Sequence, residues 1–153
     1  MNANRRNTLG ALALGTLASA TATAARSAEA GKGRGVVLHV GMNDPDLMSQ
    51  ALNYAANILK HYGDKGETVS VEILANGAGL HMLREDTSPV KGKVMAFTTR
   101  NPQVTISACN NTKTNMEAAE GKEIKLMSKA RLVPSGVVRL MEAQEAGWSY
   151  VWP

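Results

Sequence analysis

The chain has 153 residues, enough for one domain, and its residues are 44% hydrophobic but only 4% aromatic, so any core it builds is aliphatic. The formal net charge is only +4, with no basic run interleaved with aromatics, which argues against a nucleic-acid binder. A single cysteine excludes an internal disulfide.

Asn4-Arg5-Arg6-Asn7-Thr8-Leu9 opens the chain, and a weakly apolar run of Ala, Leu, Gly and Thr follows from Leu9 to Ala25. Ala28-Glu29-Ala30 is a small-x-small site. Basic, apolar and small-residue regions in that order are a secretory signal peptide, and the paired arginines with low hydrophobicity point to the twin-arginine type. The run is too short and too weakly apolar for a membrane span, so no stable membrane insertion is expected after processing. Cleavage is expected near Ala30. Residues 31–153 then form a single domain working in the periplasm. That compartment is oxidising, and a lone retained cysteine is unusual there.

Gly35 to Gly41 is a continuous apolar run of the kind buried parallel strands show. Asp44 is placed to cap a helix whose first residue is Pro45. Leu47, Met48, Ala51, Leu52, Ala55, Ile58, Leu59 and Tyr62 make one apolar stripe along it, and Gly63 is its expected stop. Thr68–Ala75 reads as the second strand, Asn76–Gly79 as a tight turn, Leu80–Arg84 as a short helical piece and Glu85–Pro89 as a loop. Lys91–Arg100 reads as a helix ended by Asn101-Pro102. A third strand, Val104–Ala108, runs to the cysteine, and a helix is expected from about Thr114 to Ala119, stopped by Gly121. Arg131–Val133 is a short fourth strand. Ser135 is expected to cap a helix over Val137–Ala146 whose buried face is Val137, Leu140 and Met141. Trp148–Trp152 alternates as a partly exposed last strand that either closes the core or packs on a neighbouring subunit. Alternating strands and helices predict an α/β fold: a mostly parallel sheet of about five strands with helices on both faces.

In such a sheet ligands bind beyond the C-terminal ends of the strands. Gly41–Asp44, Asn76–His81, Cys109–Thr112 and Pro134–Gly136 meet there. Cys109 is the candidate nucleophile, because a strand-to-helix junction offers backbone N–H groups and a positive helix end that favour a thiolate. A thiolate attacks sulfane sulfur and carries it as a persulfide. His81, Asn110, Asn111, Asn76 and Ser135 are candidate supporting residues. His39 lies mid-strand and reads as a core or interface histidine, and His61 as a helix-end residue. Gly77-Ala-Gly79 is only a fragment of a dinucleotide fingerprint, so no cofactor is expected. Three scattered histidines and one cysteine predict no metal site.

Thr105-Ile-Ser-Ala-Cys109-Asn-Asn-Thr112, Val133-Pro-Ser-Gly-Val-Val-Arg-Leu140, Gln144-Glu-Ala-Gly-Trp148 and the closing Tyr150-Val-Trp-Pro153 resemble the DsrE/DsrF-like family. The resemblance covers nearly all of residues 35–153. It implies a flavodoxin-like three-layer sandwich that forms homo-oligomers, as trimers or hexamers. It also implies a sulfur carrier or sulfurtransferase subunit with persulfide at Cys109, served by a sulfur donor or acceptor protein or a small sulfur compound. Two other expectations stand beside it: a non-catalytic oligomeric module binding a small ligand or a protein at the same edge, and a thiol redox sensor.

Overall fold

The computed structural model describes residues 33–153; the expected export leader over residues 1–30 lies outside the described residues. The elements run β1 (Gly35–Val40), α1 (Pro45–Asp64), β2 (Ser70–Ala75), a 3-10 segment (Gly77–Leu83), α2 (Lys91–Arg100), β3 (Thr105–Cys109), α3 (Asn110–Glu120), β4 (Ala130–Val133), α4 (Gly136–Glu145) and β5 (Ser149–Val151). The five strands form one sheet in the order β4-β3-β2-β1-β5. Every pairing in it is parallel.

The topology explains the layers. From β1 to β4 each crossover steps the sheet in one direction, and right-handed connections then place their helices on one face. That face carries the main core. Val36, Leu38, Val40, Val71, Ile73 and Ile106 meet Met48, Leu52 and Ala55 of α1, Val94 and Phe97 of α2, and Leu80 and Met82 of the 3-10 segment. The connection from β4 to β5 runs back across the sheet, so α4 covers the opposite face. There Val37, Leu74 and Val133 pack on Leu140 and Ala143, with Trp148 against them. The expected α/β sandwich with helices on both faces is thus the observed one, and its sheet is wholly parallel.

Several local expectations are corrected. Gly63 does not stop α1, which runs to Asp64, and the reversal comes at Gly66 with φ 68°. The cap at the other end is as expected: Asp44 Oδ1 accepts from Asp46 N at 2.8 Å and Leu47 N at 3.3 Å. The turn at Asn76–Gly79 and the helical piece after it are one 3-10 segment. Gly79 is required there by close approach, since a Cβ would fall 2.1 Å from the Val40 carbonyl oxygen. β2 begins at Ser70, two residues late, where pairing with β1 begins at Gly35.

α3 starts at Asn110, not Thr114, because Cys109 itself occupies the N-cap and the two asparagines fill the first turn, where their low interior propensity costs little. α4 is rotated from its expected setting. Gly136, Leu140 and Ala143 face the sheet, while Val137 and Met141 are 59% and 54% exposed. The cause is electrostatic. Glu72, in the central strand and 1% exposed, needs a counter-charge, and α4 turns to deliver Arg139. Arg139 Nη2 sits 2.6 Å and Nε 3.0 Å from Glu72 Oε2, and Ser107 Oγ donates to Oε1 at 2.6 Å. Arg139 also lies over the Trp148 ring, 5.4 Å from its centroid.

A second ion network ties the other face. Arg84, fully buried, forks onto Asp86 at 2.9 and 2.8 Å and onto Glu120 at 2.5 and 2.8 Å, with Lys122 beside Asp86 at 3.0 Å. It binds the end of the 3-10 segment to the C-terminus of α3.

Candidate functional site

The register brings the candidate residues to one edge. Ala75 pairs with both Val40 and Ala108, so the next positions outward are Gly41, Asn76 and Cys109, side by side. Strand alternation puts the last two on the face covered by α4. Cys109 also pairs with Val133, which carries the chain through Pro134 and Ser135 to the start of α4.

Cys109 is 5% exposed and lies in a nest of donors. Its Sγ accepts from the backbone N–H of Gly136 at 3.2 Å and of Thr112 at 3.4 Å. Burial pushes the thiol pKa up. Hydrogen bonds from the Thr112 side chain and from the backbones of Thr112, Gly136 and Asn111 outweigh it, and the net shift is downward. Two helix N-termini, α3 and α4, thus converge on one sulfur, and their partial positive charge favours the thiolate. Thr112 is held in turn, its Oγ1 accepting from Gly77 N at 3.1 Å.

Gly136 lets the two helix starts meet. A Cβ there would lie 3.2 Å from Cys109 Cβ and 3.0 Å from Asn76 Cβ, tighter than ordinary contact. Ser135 occupies the N-cap of α4 but makes no side-chain capping bond, contrary to expectation. The Gly136 N–H, one of the donors freed at that helix start, goes instead to Cys109 Sγ.

Asn76 is the supporting residue that the fold does bring to the cysteine. Asn110 and Asn111 are exposed on the first turn of α3, and Asn111 serves through its backbone. His81 is turned elsewhere, with Nδ1 2.7 Å from Thr87 Oγ1. His39, read from sequence as a core or interface residue, lies in the site's polar network: Nε2 is 2.8 Å from Asn76 Oδ1 and Nδ1 is 2.8 Å from Tyr150 Oη. Its ring meets the Trp152 ring edge-on, with centroids 4.8 Å apart. Neither His39 nor Tyr150 was legible as a site residue, because only the pairing of β5 with β1 joins them, across 111 residues of sequence.

A groove of about 520 Å³ opens beside this corner, between β4 and α4, lined by Arg131, Val133, Pro134, Ser135 and Val138. A groove of about 590 Å³ between α1 and α2 is lined by Ser49, Lys93, Phe97 and Arg100, from other parts of the fold. Among the described residues no three His, Cys, Asp or Glu side chains gather closely enough to hold a metal ion, and no helix is long and apolar enough to cross a membrane.

No family model and no curated protein matches the chain. Among solved structures, it is similar to MTH1491 of Methanobacterium thermoautotrophicum, a protein of unknown function. The two are 29% identical, with a TM-score of 0.65, over 79% of this chain and 99% of that one.

Proposed function

We propose that the protein is a periplasmic sulfur carrier or sulfurtransferase subunit that holds sulfane sulfur as a persulfide on Cys109. The observation that carries the reading is the donor nest: the backbone N–H groups of Gly136 and Thr112 meet Sγ at 3.2 and 3.4 Å, and hydrogen bonding there holds the chain's sole thiol below its ordinary pKa. A core cysteine needs no such arrangement, whereas a nucleophile that must be anionic near neutral pH does. The resemblance to the DsrE/DsrF-like family supports the same assignment of Cys109.

The step balances without a further oxidant. The Cys109 thiolate attacks an outer sulfur of a polysulfide dianion; one S–S bond forms, one breaks, and the shortened chain leaves as a dianion with the bonding pair. Cys109 keeps a persulfide anion. An acceptor thiolate then takes the outer sulfur and releases the Cys109 thiolate.

Export by the Arg5-Arg6 leader places this exchange in the periplasm, and a homo-oligomer is the working form. Val137, Val138 and Met141, each about half exposed along α4, offer apolar side chains to a second copy or to a donor or acceptor protein. Those side chains also favour the second reading, a binding module without turnover.

Intact mass of the processed protein after incubation with polysulfide separates the two. The sulfur-carrier reading predicts a gain of whole sulfur atoms, removed by a reductant and absent from Cys109→Ser. Equal gain in Cys109→Ser, or none in the wild type, contradicts it.

A further inference from the structure

We propose that Tyr150 and His39 orient the Asn76 amide so that its NH2 group, not its carbonyl, faces the sulfur carried on Cys109. The inference rests on the sulfur-carrier reading and deepens it: Asn76 becomes the donor that receives the loaded form.

The protons follow from the network. Asn76 Oδ1 lies 2.8 Å from His39 Nε2, and a carbonyl oxygen only accepts, so Nε2 carries the hydrogen. In the neutral imidazole Nδ1 is then an acceptor, and the Tyr150 hydroxyl, 2.8 Å away, donates to it. The ring is held in this setting by Trp152. A Cβ on Gly41 would lie 2.8 Å from the Trp152 ring and 3.4 Å from His39 Nε2, so the packing requires glycine there.

With Oδ1 engaged by His39, Nδ2 points to the other side. It lies 3.2 Å from the position a Gly136 Cβ would take, and Cys109 Cβ lies 3.2 Å from that same position. Among the described residues no protein acceptor takes its hydrogens. Nor is it among the groups that lower the thiol pKa, which are Thr112, Gly136 and Asn111. The free thiolate has its own donors in the Gly136 and Thr112 N–H groups, which leaves the part-exposed Asn76 NH2 open to solvent or to a group beyond Sγ. A persulfide extends about 2.05 Å past Sγ and carries its negative charge on the outer sulfur. Remove the Tyr150 hydroxyl, and Nδ1 loses the partner that steadies the His39 ring in this setting. The amide is then free to turn over, which presents a carbonyl oxygen to an anionic sulfur.

His39 and Tyr150 are thus positioning residues, and two measurements test them. The first is sulfur loading at limiting polysulfide, followed by intact mass, beside an ultraviolet titration of the thiolate. Tyr150→Phe and His39→Leu should lower the loaded fraction roughly three- to tenfold, with the thiolate titration unchanged. His39→Gln, which keeps a donor near the Nε2 position, should restore loading. The second is imidazole nitrogen NMR, which should find hydrogen on Nε2 of His39 in the wild type. Hydrogen on Nδ1, or full loading of both Tyr150→Phe and His39→Leu, overturns the inference alone. A wild type that takes up no sulfur overturns the sulfur-carrier reading, and the inference falls with it.

Discussion

At the scale of single residues, the thiol and its immediate donors decide the chemistry. Thr112 acts twice, through its backbone N–H and through its hydroxyl, and the hydroxyl is steadied by the Gly77 N–H. Thr112→Val keeps the shape and the backbone donor but loses the hydroxyl. It should raise the thiol pKa toward the ordinary range, read from the ultraviolet titration of the thiolate, since a hydrogen bond to a charged group is among the stronger ones. An unchanged titration would show that the backbone N–H groups suffice. Cys109 was legible in the sequence as the sole cysteine at a strand end. Asn76 was legible from its place after a buried strand. The role of Gly136 was not: a glycine before an apolar helix reads as turn punctuation, and only the folded chain places its missing Cβ between Asn76 and Cys109.

At the scale of elements, hydrophobic period and punctuation revealed most of the fold. β1, α1 with its Asp44 cap, α2 before Asn101-Pro102 and the Gly121 stop of α3 all stand where local patterns put them. α4 does not follow its own apolar residues. Val137 and Met141 turn outward because Arg139 must reach Glu72 two strands away, a tertiary demand invisible in a ten-residue window. That pairing gives a prediction. Arg139→Met leaves a carboxylate buried without its partner and should cost about 3–5 kcal/mol of stability, read from denaturant unfolding. A loss below about 1 kcal/mol would mean that Ser107 and water satisfy Glu72 alone.

At the scale of the molecule, the return crossover organises everything. By carrying the chain from β4 to β5 over the far face, it brings the α4 N-terminus to Cys109 and the last strand beside β1, where Tyr150 meets His39. The opposite face is fastened by Arg84, whose guanidinium holds Glu120 down to about 2 and Asp86 below the usual carboxylate range. Folded-state values below the unfolded ones mean that the unfolded chain binds more protons in this window. The stabilisation is therefore full above the ordinary carboxylate range and is lost as pH falls toward about 2. Thermal midpoints measured from neutral to acid pH should drop across that window, and Glu120→Gln should drop less. Parallel curves would take the network out of the acid response.

The most direct test of the account is the pH at which Cys109 ionises in the folded protein. It can be followed as the ultraviolet difference between the wild type and Cys109→Ser, which requires no access to the buried sulfur. A midpoint below the free-thiol value of about 8.5 is the predicted result, and it means that the converging N-termini of α3 and α4 hold a thiolate. A midpoint at or above that value would make burial the dominant influence and Cys109 a core residue.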